Sequence, residues 1–239
     1  IVQATTGIQA IDEAIEEFYE SGYMHNHMRM YVASLACNIA QSHWLNPAHW
    51  MYAHLLDGDW ASNALSWQWV AGSNANKKYY ANQENINKYF SSNQRGSYLD
   101  LSYEQIPTQP IPCELEQTSK FQLHTALPDN TPELNLDPNV ETLVYNYYNL
   151  DPRWHAGENY NRVLLLEPSF FEQYPVTQHV LDFCLKLSEN ISDIQIFTGS
   201  FEALASQSNQ ALIYKEHPTN KHYRGVEEPR DWMFDVTGN

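Results

Sequence analysis

The sequence has few cysteines, few basic residues and no long apolar run. Its three cysteines, Cys37, Cys113 and Cys184, lie far apart, which excludes a CxxC metal site and a disulfide framework and favours a reducing, cytoplasmic setting. No apolar stretch approaches the roughly 20 residues that span a bilayer, so no membrane association is expected. The 13 Lys and Arg residues face 29 Asp and Glu residues, for a net charge of −16. This balance argues against a surface that neutralises many nucleic-acid phosphates, although a local basic groove stays possible.

What is present is typical of a globular protein, since 43% of the residues are hydrophobic and 13% are aromatic. In the first part, apolar spacing predicts a first helix with its apolar positions between Ile8 and Tyr19, and further helices at about 25–42, 47–56 and 83–90. Thr6 is expected to cap the first helix and Gly22 to end it. In 57–72, Gly58 and short polar residues interrupt the periodicity, so no helix is predicted there.

The second part has the pattern of alternating strands and helices. Strands are predicted at 162–167, 193–198 and 211–214, and helices at 177–187 and 201–206. This βαβαβ order predicts a small parallel sheet covered by helices. Segment 106–139 is rich in Pro, Thr and Asn, so the predicted division is a helical domain over 1–105, a linker over 106–139 and an α/β domain over 140–239.

Polar side chains cluster in two short stretches of the helical part. Asn26, Arg29 and Met30 fall at i, i+3 and i+4 and therefore share a helix face. Asp57 and Asp59 lie on either side of a glycine in the second stretch. An ion pair between the arginine and a carboxylate would hold a polar aromatic ring. An ordinary salt bridge between helices is the alternative.

Two further residue types allow a functional and a structural interpretation. His25 and His27 point to different faces of a helix and no HExxH motif is present, so we expect surface or hydrogen-bonded histidines and no metal site. Five of the seven tryptophans lie within 44–69. Such a group either packs a core or forms a route for electrons beside a redox ring, and an indole at a cleft can stack on a base.

Three ordered motifs carry a resemblance to a known family. They are TG-x3-ID-x-A at Thr6–Ala14, GYMHN-x2-RM at Gly22–Met30, and LDGD-x-A-x-N-x3-WQW at Leu56–Trp69. This stretch of about 70 residues resembles the C-terminal half of the flavin-binding helical domain of DNA photolyases and cryptochromes. Ala64-Leu65-Ser66 replaces the Asn-Gly-Gly that often precedes WQW, which suggests a divergent bacterial branch.

The resemblance implies a role for individual residues. The positions that match the family's FAD contacts are Asn26, Arg29, Asp57, Asp59 and Asn63. Asn63 would lie near the flavin atom N5. Trp67 matches the indole nearest the flavin in the electron-transfer chain and Trp44 matches the next one. Met30 and Trp69 match residues that face the DNA lesion.

The resemblance also implies a fold, an all-helical FAD-binding domain followed here by a small Rossmann-like parallel α/β segment. The Ser/Thr-rich loop that holds the FAD diphosphate in this family has no counterpart after Ile1. We therefore expect an incomplete flavin domain that a missing N-terminal segment or a second chain completes.

Three functions follow as hypotheses. The first is light-driven repair of pyrimidine dimers in DNA by a photolyase-type flavoprotein, with the lesion in a cavity beside Asn26, Met30 and Trp69. The second is a cryptochrome-like blue-light photoreceptor without repair activity, which the acidic composition suits. The third is a flavin-binding module without photochemistry.

Overall fold

The computed structural model describes residues 1–74, 76–128 and 133–231. The chain forms two compact units, Ile1–Leu123 and His124–Asn239. The division falls within the segment predicted as a linker, and Ile106 and Leu115 from that segment are buried in the core of the first unit. The last part of the predicted α/β domain, 232–239, lies outside the described residues.

The first unit is helical. Its α-helices are α1 (Gln9–Ser21), α2 (Asn26–Ser34), α3 (Leu45–His54), α4 (Trp60–Val70) and α5 (Gln83–Phe90). A π-helical turn, Leu35–Ile39, continues α2, and short 3-10 turns follow at Ile106–Thr108 and Cys113–Leu115. The predicted second helix, 25–42, is therefore shorter and changes its hydrogen-bond pattern after Ser34.

The ends of α1 agree only in part with the prediction. Gly22 ends the helix with φ +67°, and a Cβ there would lie 2.5 Å from Leu56 Cγ, so both the backbone conformation and the close approach require glycine. Thr6 does not cap the helix as expected. Ile8 occupies the N-cap position, and the carboxylate of Asp12 accepts hydrogen bonds from the backbone N–H groups of Thr6 (2.8 Å) and Gly7 (3.1 Å).

The interruption predicted in 57–72 is wrong, because α4 occupies most of this segment. Asp59 is its N-cap, and its side chain accepts a hydrogen bond of 2.7 Å from the N–H of Ser62. Helix α4 lacks a clear apolar stripe because Trp67 and Val70 are buried while Leu65 and Trp69 are exposed. The cap and the packing of α4 on α2 and α3 hold the helix instead.

The second unit is a parallel α/β structure. Its strands are β1 (Thr142–Tyr145), β2 (Asn161–Leu166), β3 (Ile194–Thr198), β4 (Leu212–Lys215) and β5 (Val226–Glu228), and its helices are α6 (Pro168–Gln173), α7 (Gln178–Ser188) and α8 (Phe201–Ala205). The described strands form one sheet in the order β3-β2-β1-β4-β5, and every pair is parallel. This confirms the predicted fold class, a helical domain followed by a small parallel α/β segment.

The sheet has two more strands than predicted. Strand β1 has four residues and lies in a Tyr- and Asn-rich context, and β5 has three residues, two of them glutamates. The three residues of β5 carry too little periodicity to predict a strand, and β1 lies next to the segment 106–139 that is predicted as a linker. Both strands form because their neighbours in the sheet supply the pairing.

Candidate functional site

A cavity of about 160 Å³ lies between α2, α3 and α4 in the helical unit. We call it the α2–α4 cavity. Its lining residues are Asn26, Arg29, Met30, Ala33, Met51, Leu55, Asp57, Asp59, Ser62, Asn63, Ser66, Trp67 and Val70. It therefore brings together all five residues predicted to contact FAD, and Met30 and Trp67 with them.

An ion pair stands at the polar side of this cavity. Arg29 Nη2 lies 2.9 Å from Asp57 Oδ1 and 3.0 Å from Asp57 Oδ2, and Arg29 Nε donates a hydrogen bond of 2.7 Å to the carbonyl oxygen of Met24. The N–H of Leu56 bonds the carbonyl oxygen of Gly22 at 2.9 Å. This bond joins the segment before α2 to the segment after α3, so the guanidinium and the carboxylate are held in register.

The polar residues of α4 are fixed by backbone groups. Asp59 caps the helix through the N–H of Ser62, which points its carboxylate at the positive end of the helix dipole. Asn63 Nδ2 donates a hydrogen bond of 2.8 Å to the carbonyl oxygen of Ala48 in α3. The amide is thereby oriented before any ligand arrives, as a binding site requires.

The opposite wall of the cavity is apolar. Trp67 is only 2% exposed, and Met51 and Val70 are buried with it. Met30 is partly buried and packs against the same core. The cavity thus combines an apolar wall with an ion pair and an amide, an arrangement that suits a flat ligand with one apolar end and one polar edge.

Trp69 lies outside the α2–α4 cavity. It is 47% exposed and lines a separate cleft of about 870 Å³, which we call the Trp69 cleft. The other lining residues are Asn76, Lys77, Lys78, Tyr79, Tyr80, Tyr103, Glu104 and Pro107. Because Trp67 and Trp69 are two positions apart on α4, they face different sides of the helix. The expected single cavity beside Asn26, Met30 and Trp69 is therefore two spaces in the structure.

The tyrosines and lysines of the Trp69 cleft are not among the predicted site residues, although the run KKYY was the available signal. The rings of Trp69 and Tyr79 lie 5.6 Å apart. Asn38 Nδ2, from the π-helical turn, donates hydrogen bonds to the carbonyl oxygens of Tyr79 (2.7 Å) and Val70 (2.9 Å). Burial raises the pKa of Tyr79 above its already high ordinary value, so this phenol carries no charge near neutral pH. Lys77 and Lys78 are the basic side chains that line the cleft.

Trp44 belongs to neither space. It is partly buried against the helical core, and its ring lies 5.6 Å from His43. Among the described residues it has no ring contact with Trp67.

His25 takes a structural position at the start of α2. It caps this helix, because its Nδ1 accepts a hydrogen bond of 3.3 Å from the N–H of His27. The described part of the chain contains no group of three His, Cys, Asp or Glu side chains that could hold a metal ion. A search of the same residues finds no helix with the length and apolar character needed to cross a membrane.

Comparison with known proteins connects the helical unit to one family. Residues 2–110 match the family described as the FAD binding domain of DNA photolyase. Proteins named deoxyribodipyrimidine photo-lyase from Agrobacterium fabrum and a Synechococcus strain are 41% and 38% identical to this chain over 70 and 76 residues. These matches cover 29% and 32% of this chain and 15% and 16% of the relatives.

A longer match of lower identity extends over more of the chain. The deoxyribodipyrimidine photo-lyase of Buchnera aphidicola is 26% identical over 146 residues, which cover 61% of this chain and 29% of the relative. No solved structure gives a significant match. The chain therefore corresponds to less than a third of the length of each of these three relatives.

Proposed function

Residues 2–110 belong to the family of DNA photolyase FAD-binding domains, and on this premise we propose that the protein uses FAD and blue light to repair pyrimidine dimers in DNA. The cofactor of these domains is FAD, and the protein is a photolyase-type flavoprotein. The observation that carries the proposal is the α2–α4 cavity, where a buried indole, a fixed amide and an arginine–aspartate pair line one space.

The residues of the cavity fit a flavin ring system. An isoalloxazine has an apolar benzenoid end and a polar pyrimidine edge. Met51 and Val70 supply apolar contact, while Arg29, Asp57 and Asn63 supply charge and hydrogen-bonding groups. A volume of about 160 Å³ suits a ring system and not a whole dinucleotide, so these residues form one wall of a larger FAD site.

Bound FAD supplies light absorption and single-electron transfer. In our proposal Arg29 and Asp57 would hold the polar edge of the ring, and Asn63 would lie near its atom N5. Trp67 would close the apolar wall and serve as the nearest electron donor, and Trp44 would be the next donor. Asn26 and Asp59 complete the polar contacts on the same side.

The Trp69 cleft supports DNA as the substrate. Single-stranded bases stack on aromatic side chains, and neighbouring basic side chains neutralise the backbone phosphates. Trp69, Tyr79 and Tyr103 supply rings in this cleft, and Lys77 and Lys78 supply charge. In our proposal Trp69 contacts the flipped lesion in this cleft, while Met30 lines the α2–α4 cavity on the flavin side. The lysines form a local basic groove in a chain whose net charge is −16.

The test is a light-dependent repair assay. We expect the purified protein to carry FAD, identified by its absorption spectrum and by the flavin that denaturation releases, and to restore dimer-containing oligonucleotides only under blue light. A protein without flavin after reconstitution would contradict a flavin site that this chain forms by itself. A protein that holds FAD and responds to light but repairs nothing would instead support the photoreceptor.

A matched pair of variants tests the DNA contact. The double change Lys77→Ser and Lys78→Ser should weaken binding of dimer-containing DNA and reduce its salt dependence, since two phosphate contacts are lost. Lys88→Ser, on α5 and outside the cleft, should leave both unchanged. If the two proteins show equal affinity for dimer-containing DNA and equal salt dependence, the Trp69 cleft is excluded as the DNA site.

A further inference from the structure

The order of the strands creates a second place where a ligand can bind. Strands β2 and β3 follow one another on one side of β1, whereas β4 and β5 lie on the other side of β1. Strands β1 and β4 are neighbours and parallel. In open parallel sheets, ligands bind outside the carboxyl ends of the strands where the strand order reverses in this way.

A cavity of about 200 Å³ lies at this point, and we call it the switch-point cavity. Residues from the ends of both strands line it, among them Asn146, Tyr148, Asn149, Lys215, Glu216 and His217. Its volume equals that of about seven molecules of liquid water and lies below the range of drug-sized pockets. The cavity therefore suits a ligand of one ring system.

Two buried asparagines fix the frame of the cavity. Asn146 Oδ1 accepts hydrogen bonds from the N–H groups of Tyr148 (3.0 Å) and Asn149 (3.1 Å), and Asn146 Nδ2 donates one of 3.1 Å to Asn220 Oδ1. Asn220 Nδ2 in turn donates to the carbonyl oxygen of Lys215 at 2.9 Å. The loop after β1 and the end of β4 are thus joined, so the cavity is preformed.

Beside these asparagines, the side chain of Asn149 carries a donor without a hydrogen-bond partner among the described residues. Asn149 Nδ2 is buried, and no group in 1–74, 76–128 or 133–231 accepts a hydrogen bond from it. A buried donor without an acceptor costs about 1–3 kcal/mol, and such atoms are rare in native proteins. Because Asn149 lines the cavity, the oxygen or ring nitrogen of a ligand would complete this bond.

The cavity also offers aromatic surface. The rings of Tyr148 and His217 stack with their centroids 4.4 Å apart and an interplanar angle of 25°, and both residues line the cavity. A planar ligand gains from contact with such rings.

The charges around the cavity disfavour an anion. Lys215 Nζ lies 3.7 Å from carboxylate oxygens of Glu228 and Asp231, and Arg230 lies 3.4 Å from Glu216. Both cations therefore face carboxylates already. Residues 146–160, all of which the structure describes, contain no helix, so no helix N-terminus after β1 is available for a phosphate.

From these observations we propose that the switch-point cavity binds a neutral planar heterocycle of nucleobase size, as the free base or the nucleoside. Asn149 donates a hydrogen bond to a ring nitrogen or carbonyl oxygen of this ligand, and the outer ring of the stacked Tyr148–His217 pair contacts its face. The proposal concerns the α/β unit alone and does not depend on the flavin site.

The test is binding of defined probes to the full chain. We expect adenine, adenosine or uracil to bind with micromolar to millimolar dissociation constants in calorimetry, and benzoate, which is planar but anionic, to bind much more weakly. The side-chain amide resonance of Asn149 should shift when the ligand is added to the unaltered protein. Absence of binding by every base and nucleoside would overturn the proposal, and so would tighter binding of adenosine monophosphate or benzoate.

Two matched variants identify the site. Asn149→Ala should weaken adenosine binding about tenfold, the loss expected for one hydrogen bond. Asn209→Ala makes the same change on the exposed loop before β4, at the amino end of that strand and away from the cavity at its carboxyl end, and this variant should bind adenosine normally. Equal affinities of the two variants would place the ligand elsewhere and reject the proposal. If Asn149→Ala does not fold, the resonance of the unaltered protein decides. A side-chain amide resonance of Asn149 that stays unchanged when adenosine is added would reject the proposal.

Discussion

Arg29 and Asp57 form an ion pair at the polar side of the α2–α4 cavity. The contribution of this pair to FAD binding can be tested by removing one of the two charges. Asp57→Asn keeps the shape of the side chain but removes the charge-assisted hydrogen bonds to Arg29 Nη2. Asp57 is 59% exposed, so solvent weakens the pair. We expect FAD affinity to fall about tenfold, measured by titration of the flavin-free protein.

Glu17→Gln is the control for this prediction, because it also removes one negative charge from an exposed site of the helical unit. It should bind FAD with unchanged affinity. A similar loss in both variants would mean that net charge, and not the ion pair, governs binding.

The two tryptophans at the end of α4 allow a second test at the scale of the residue. Trp67 lines the α2–α4 cavity and Trp69 lines the Trp69 cleft. We predict that Trp67→Phe abolishes the light-driven loss of the oxidised flavin absorbance, because the electron donor is removed. Trp69→Phe should retain this change and weaken binding of dimer-containing DNA. Unchanged photoreduction in Trp67→Phe would remove the proposed electron route.

At the scale of the element, α4 explains one failure of prediction from sequence. Its residues have no clean amphipathic pattern because each side of the helix lines a cavity. Trp67 faces the α2–α4 cavity and Trp69 faces the Trp69 cleft. Helical periodicity detects a helix with one buried face. The local feature that favours a helix here is Asp59 at the N-cap position. Its capping role is established only by the structure, in which its side chain accepts a hydrogen bond from the N–H of Ser62.

Strand β5 gives the prediction that belongs to this scale. The strand is short and lies at the edge of the sheet, and its Glu228 accepts hydrogen bonds from Trp154 Nε1 and His155 Nε2, both at 2.8 Å. The hydrogen bond to Glu228 raises the pKa of His155, against the effect of burial. Burial alone would raise the pKa of Glu228, but its bonds to Trp154 and His155 lower it.

The direction of the pH dependence follows from these shifts. Stabilisation by His155 is fully present below its ordinary pKa of 6.5 and is lost as the pH rises through the raised value. Stabilisation by Glu228 is present above its ordinary pKa of 4.5 and is lost as the pH falls. His155→Gln should therefore lower the unfolding midpoint more at about pH 5.5 than at about pH 8.5. His179→Gln, exposed on α7, should show no such difference.

At the scale of the whole molecule, the chain has two units with separate cores. Leu164 is fully buried in β2 and Ile15 is fully buried in α1. We predict that Leu164→Ala destabilises the α/β unit by about 2–5 kcal/mol and leaves the FAD content unchanged. Ile15→Ala should destabilise the helical unit by a similar amount. Thermal unfolding, followed by flavin release and by circular dichroism, distinguishes the two.

The sequence by itself determined the local features of this protein. The i, i+3, i+4 spacing of Asn26, Arg29 and Met30 defined one face of α2, and the motifs up to Trp69 indicated the FAD-binding family. The apolar runs at β2, β3 and β4 predicted a parallel α/β fold. These features depend on residues that are near one another in the chain, where periodicity and capping act.

Only the tertiary structure decided what distant residues do together. It separated Trp69 from Met30, brought β1 and β5 into the sheet, and left Asn149 Nδ2 buried beside the end of β4 with no acceptor in the part of the chain that the structure describes. Each of these outcomes depends on contacts between segments that are far apart in sequence. Those contacts determine side-chain direction and strand pairing, and they cannot be predicted from a local sequence pattern.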